Sequence, residues 1–177
     1  MSTPKRYHPA LVILHWLIAA LILLMLVMGY TRLGETPNDA AKVQVLSLHM
    51  PIGITIVALT VLRFLVRVFS KKPEHATTGN PLLDKVGVVT HYLLYLAALG
   101  MGISGMGISA LAGLPAIVFE GAGSLPADFA AFPPAIGHGF FGYVLSGLVL
   151  LHIGAALFHQ FIRKDNLLAR MWFGKGE

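Results

Sequence analysis

Long apolar runs separated by short polar links set the pattern of the chain. The first run, LVILHWLIAALILLMLVMGY, occupies residues 11–30, and the second, VLSLHMPIGITIVALTVLRFLVRVF, residues 45–69. The third and fourth fall at about 86–110 and 137–162. A helix of about 20 apolar residues crosses the roughly 30 Å hydrocarbon core of a bilayer, so each run predicts one membrane span. Pro51 is expected in or near the first turn of the second helix, where its missing N–H costs little. Arg63 and Arg67, near the end of that helix, are expected to snorkel to headgroups. The link that follows, SKKPEHATTGNPLLD, is polar and holds two prolines. The link at 111–136 is richer in Gly, Ala and Pro, and its LPAIVFEGAG stretch predicts a short interfacial helix or a partly buried lid. The expected architecture is an all-α, four-helix transmembrane bundle, a single integral-membrane domain over residues 1–177.

Composition sharpens this picture. Of 177 residues, 56% are hydrophobic and 12% charged, where a soluble domain carries about a quarter charged. With no cysteine, neither a disulfide framework nor an iron–sulfur centre is available. The net charge of +5 does not indicate nucleic acid, because the charges cluster between apolar segments as juxtamembrane anchors do. Lys5 and Arg6 precede the first run like the flank of a signal peptide. That run is too long for a simple signal core and no small-residue cleavage motif clearly ends it, so a retained helix is expected.

Charge also predicts the orientation. Lys5, Arg6, Arg63, Arg67, Lys71, Lys72, Lys85, Arg163, Lys164, Arg170 and Lys175 fall on one side, eleven against two, Arg32 and Lys42, on the other. The positive-inside rule then makes both termini cytoplasmic, as in a multi-pass protein of a bacterial inner membrane. Trp16, Tyr30, Tyr92, Tyr143 and Trp172 are expected mostly as interfacial anchors.

Histidine is where chemistry enters. His8 and His75 lie outside the spans; His15, His49, His91, His138, His152 and His159 lie in them. A lone membrane histidine is commonly a satisfied polar group, but six in four helices are costly unless paired or liganded. The spans contain no clear interior carboxylate, whereas zinc and di-iron sites normally mix imidazole with carboxylate or thiolate. A haem needs only two axial imidazoles and brings an apolar macrocycle, so haem b suits these helices best.

Spacing extends the reading. His138 and His152 are 14 residues apart, about 21 Å along a helix and within about 40° of the same face. Matching depths pairs His49 with His138 near the outer side and His15 with His152 near the inner side. Two stacked haems on these four metal-ligating histidines would form an electron path across the bilayer. His91 and His159 lie at comparable inner depth and could replace His152 as partner of His15. The preferred assignment leaves them as catalytic residues beside the inner haem, exchanging protons with a quinone, since imidazole titrates near neutrality. The bland alternative is a hydrogen bond to a haem propionate or a headgroup. Gly100, Gly102, Ser104, Gly105, Gly107 and Ser109 form a small-residue surface for close helix or macrocycle approach. Gly53 and Gly142 are expected to clear space for the outer haem.

The segments RYHPALVILHWLIAALILLMLVMGY, LHMPIGITIVALTVLRFLVR and LHIGAALFHQFIRKDNLLARMW resemble the bacterial cytochrome b561 family over nearly the whole chain, most specifically in HxxxxxxHxFxRKDNLLxRM. That family comprises small four-helix, di-haem membrane proteins related to the cytochrome b subunits of hydrogenase and formate dehydrogenase. The resemblance implies quinone-linked electron transfer, with its haem histidines matching His15, His49, His138 and His152, and its further histidines matching His91 and His159. It also implies one specific activity, superoxide oxidation coupled to ubiquinone reduction. Basic residues should steer the superoxide anion, yet Arg32 and Lys42 are offset by Glu35, Asp39, Glu120 and Asp128. Lys71 and Lys72 suit lipid headgroups better than quinone. Two rival classes remain: a membrane anchor for a separate redox subunit, and a haem- or metal-handling transporter, which four spans without inverted repeats favour less.

Overall fold

A computed structural model describes residues 5–74 and 76–172; His75 and Lys175 lie outside the described residues. The described residues form four long α-helices and one short one: α1 Pro9–Met28, α2 Ala40–Phe69, α3 Pro81–Leu111, α4 Leu114–Phe119 and α5 Pro133–Leu157. Helices α1 and α5 each continue through a wider π-helical stretch, Gly29–Leu33 and Phe158–Arg163. Among the described residues there is no strand.

With those extensions the four apolar helices run Pro9–Leu33, Ala40–Phe69, Pro81–Leu111 and Pro133–Arg163, each long and apolar enough to cross a membrane. They exceed the hydropathic runs because local signals, not hydropathy, set their ends. Asp39 and Asn80 accept from Ala41 and Leu82 N–H groups as N-caps, satisfying amides that have no partner within the helix. Proline opens α1, α3 and α5, where its fixed φ suits a first turn. The early start of α2 puts Pro51 in the helix interior rather than its first turn. There it withholds the hydrogen bond normally donated to the carbonyl four residues back, a gap that membrane helices tolerate when neighbours re-satisfy it.

Only 11–17% of the most apolar stretch of each span is buried inside the bundle. The rest is apolar perimeter, which water would penalise and lipid would not. What is buried forms a thin seam: Leu11, Val12, Leu14 and Ile18 from α1, Leu46 and Ile56 from α2, Ala97 and Ala98 from α3, and Leu145 from α5. Helices α3 and α5 make the most extensive contact. Glycine allows it, since a Cβ on Gly100 would meet the Phe141 ring at 2.4–2.7 Å and one on Gly107 would meet Pro134 at 3.1 Å. A Cβ on Gly102 would lie 2.0 Å from Val57, so α2 is fitted to α3 in the same way.

The 111–136 link folds back. Gly113 turns the chain with φ +63° and α4 packs on α2 and α3 with Leu114 buried, closer to a lid than to an interfacial helix. Asn38 ties that link to the α1–α2 connection through the carbonyls of Pro126 and Ala127, at 2.9 and 3.1 Å. The other end of the bundle carries both ends of the described chain, joined where Tyr7 N–H donates to the Arg170 carbonyl at 3.1 Å. The bundle thus has a far end, at the 111–136 link, and a terminal end, where the described chain begins and finishes.

Candidate functional site

The four histidines expected to act in pairs meet in those pairs. His49 of α2 faces His138 of α5 at the far end with ring centres 6.1 Å apart. His15 of α1 faces His152 of α5 at the terminal end, 6.0 Å apart. An iron held by two opposed imidazole nitrogens at about 2 Å each keeps the ring centres roughly 6 Å apart. His49 with His138 and His15 with His152 are the residues that would hold such an iron, and their ring separations leave room for one. His91 of α3 approaches His152 to 5.2 Å, closer than that spacing. Among the described residues no three His, Cys, Asp or Glu side chains gather so as to hold a bare metal ion. Opposed imidazole pairs fit a macrocycle that brings its own equatorial nitrogens.

Around His49 and His138 lies a cavity of about 300 Å³, at the lower end of the range usual for ligand sites. Its walls include Gly29, Gly53, Gly102, Gly105, Gly139 and Gly142 with Ile, Leu and Met side chains, an apolar lining that suits an apolar ring. A Cβ on Gly53 or Gly142 would approach its neighbours no closer than 3.9 and 3.4 Å. Those glycines keep space open rather than permitting a tight helix contact. Gly105 does both, for a Cβ there would press on the His138 ring at 3.1 Å.

His138 is oriented from α3. Its Nδ1–H donates to the Met101 carbonyl at 3.0 Å and lies 3.3 Å from Ser104 Oγ. Donation from Nδ1 fixes the tautomer and leaves the Nε2 lone pair for a metal, the usual second partner of a ligating histidine. His49 differs, since its Nδ1 is buried without a partner. Tyr30 borders the same cavity and its hydroxyl is 3.2 Å from Ser146 Oγ, so it faces into the bundle as well as marking depth.

The terminal end is more polar. Next to His15 and His152 stands His91, whose Nδ1–H donates to the Gly87 carbonyl at 2.7 Å. Arg63 does not snorkel: its Nη1 donates to the Tyr95 hydroxyl, and the guanidinium lies over that ring at 5.5 Å. His159 is buried and turns to a residue that sequence reasoning did not single out. Its Nδ1 and Asp165 Oδ2 are 2.5 Å apart. Asp165 was legible only as a loop residue; the turn that returns it uses left-handed backbone at Lys164 and Asn166, φ 56° and 54°. Partial burial raises the Asp165 carboxyl, but the bond to His159, that ring's charge, the Leu167 amide and Arg163 outweigh it and hold the group below its usual range.

The segment after α5 then crosses the terminal end as a floor. Trp16 Nε1 donates to the Met171 carbonyl at 2.7 Å, and Trp16 meets Trp172 edge to face at 5.5 Å. Arg170 donates to the Glu74 carbonyl at 2.7 Å and Arg163 to that of Thr77 at 3.4 Å. Trp16 also lies 5.3 Å from His15, so an aromatic contact runs from a paired histidine to the exposed Trp172.

A family model described as prokaryotic cytochrome b561 matches residues 6–174. The chain is 32% identical to cytochrome b561 homolog 2 of Escherichia coli (strain K12), an alignment covering 96% of this chain and 93% of that one. It is equally 32% identical to cytochrome b562 of Cereibacter sphaeroides, over 97% and 98% of the two chains. The probable superoxide oxidase CybB of Yersinia pestis is 26% identical, over 94% and 96%.

Proposed function

The chain belongs to the prokaryotic cytochrome b561 family, a membrane cytochrome with a role in electron transfer, and from that premise we propose that it carries two b-type haems and passes single electrons across the bilayer to a quinone pool. The observation that carries this reading is the pair of opposed histidine couples at 6.0 and 6.1 Å. Their ligands on α5, His138 and His152, are separated by about 21 Å of helix. His49 and His138 would hold one haem, His15 and His152 the other, within one integral-membrane domain. When bound, each haem supplies a one-electron couple in a low-dielectric setting. With ten described basic residues on the terminal side, both termini would be cytoplasmic in a bacterial inner membrane.

The residues of the terminal end support quinone as the electron acceptor. A two-electron quinone reduction needs two protons, and the imidazole of His91, 5.2 Å from the His152 ring, can carry one. His159, held through Nδ1 by Asp165 at 2.5 Å, can pass another through its second ring nitrogen. In this scheme His91 and His159 are the proton-handling catalytic residues and Asp165 a positioning residue.

For the electron donor, superoxide has the support of one relative's name alone. Of the two far-side cations, Lys42 is already engaged by Asn38 at 2.7 Å and by the Phe129 ring at 5.9 Å, which leaves little field to steer an anion. A redox protein docking at the far end is the alternative donor. Stopped-flow spectra of the purified protein separate the two: haem reduction within milliseconds by a superoxide source, blocked by superoxide dismutase, supports the oxidase. No reduction by superoxide, with prompt reduction by a ubiquinol analogue, supports the anchor reading. Failure of both reagents to reduce the protein rules out quinone-linked transfer.

A further inference from the structure

Arg63 is a charge at membrane depth with no ion-pair partner among the described residues. It lies one and a half turns inside the end of α2, and its guanidinium turns inward to the Tyr95 hydroxyl. Its Nε is sealed and without a hydrogen-bond partner. The titratable and charged groups within its electrostatic reach are Tyr95, Arg67, Tyr7, His15 and His152. None is a carboxylate, and one is a second cation. On the same helix face three residues earlier, Thr60 is 3% exposed and its hydroxyl is likewise sealed and unpartnered.

A buried cation with a neutral partner is costly, and membrane proteins retain one where an anion completes it. The bond from Nη1 to Tyr95 leaves the edge formed by Nε and Nη2, the side of a guanidinium that grips a carboxylate with two parallel hydrogen bonds. With no carboxylate among these described neighbours, the open edge can take an anion from a bound group lying beside His15 and His152.

We propose that Arg63 is a carboxylate-binding residue for the prosthetic group itself, taking a propionate of the haem held between His15 and His152, with the Thr60 hydroxyl one turn away as a second donor. The proposal rests on the two-haem reading above. It gives Arg63 a defined electrostatic consequence: a fixed positive charge beside one iron and not the other favours the reduced form of that haem alone.

Potentiometric titration of the full-length protein in nanodiscs, with haem counted per chain, tests it. In Arg63→Gln one midpoint potential should fall by at least about tenfold in the oxidation equilibrium, equivalent to 59 mV for one electron, while the other stays within error. Arg63→Lys, which keeps the charge but loses the two-pronged edge, should fall by less. Both potentials unchanged in Arg63→Gln, or both shifted equally, overturns the proposal. If Arg63→Gln retains a single haem, Arg63→Lys decides. Two haems with one lowered potential support a carboxylate clamp, and two unshifted potentials or loss of both haems contradict it. A wild-type protein with fewer than two haems would instead sink the two-haem reading, so the two failures are distinguishable.

Discussion

The two ends of this bundle hold histidine pairs of nearly equal spacing, 6.1 and 6.0 Å, in opposite surroundings. At the far end the pair sits in a cavity walled by glycines and aliphatic side chains, with Met101 and Ser104 the polar partners of His138. At the terminal end the pair is accompanied by His91 and Arg63, with His159 and Asp165 and the crossing 163–172 segment nearby. The first environment is an apolar enclosure with few polar groups. The second adds groups that carry charge and protons. Equal ligand geometry thus says what could be bound, and the difference in neighbours says where electron transfer would be joined to proton transfer.

The strongest way to break this comparison is to remove a ligand from one end. His49→Ala should lower haem content by one per chain and leave the terminal site filled, and His15→Ala should do the converse, as read by pyridine haemochrome and by which redox couple disappears. Next in size is steric intrusion at the far end. Gly105→Val places a branched side chain where even a Cβ would be 3.1 Å from His138, so the far haem should be lost while the terminal one remains. Gly100→Ala drives a methyl into the Phe141 ring at 2.4–2.7 Å and should lower stability by about 1–3 kcal/mol through overpacking, measurable by thermal unfolding in detergent.

A smaller effect is expected at the terminal end. Asp165→Asn should leave two haems in place yet slow quinone reduction roughly tenfold, the scale on which outer partners of functional histidines act. Unchanged turnover would assign Asp165 to the turn alone. The pH dependence follows from the direction of its shift: a carboxyl held below its usual range keeps its bond to His159 as pH falls through the ordinary carboxylate range, and loses it only below its own depressed pKa. Hydrogen-exchange protection of residues 165–172 should therefore persist to that lower pH and then collapse. Smallest of all, Ser104→Ala removes a 3.3 Å contact to His138 while the Met101 carbonyl remains, so its cost should stay within about 0.5–1.5 kcal/mol of haem binding.

Much of this was legible in the sequence because membrane spans and histidine depth are one-dimensional properties. The 14-residue gap between His138 and His152 sets both their face and their separation, whatever surrounds them. Helix ends were less legible: Asp39 and Asn80 act as caps only once the chain turns at them, and an α2 that begins at Ala40 moves Pro51 into its interior. Arg63 shows the limit most clearly. Its distance from the helix end suggested snorkelling, but direction depends on Tyr95 of another helix. Asp165 shows it again, since the chain must adopt two left-handed residues before its carboxylate returns to His159. Contacts made by reversal of the chain leave no periodic trace for a linear pattern to report.

Haem stoichiometry tests the central claim most directly. Pyridine haemochrome on quantified, purified protein should give two b haems per chain for the natural sequence and one for each of His49→Ala and His15→Ala. One haem in the natural protein, unaffected by one of those substitutions, or none at all, would contradict the account.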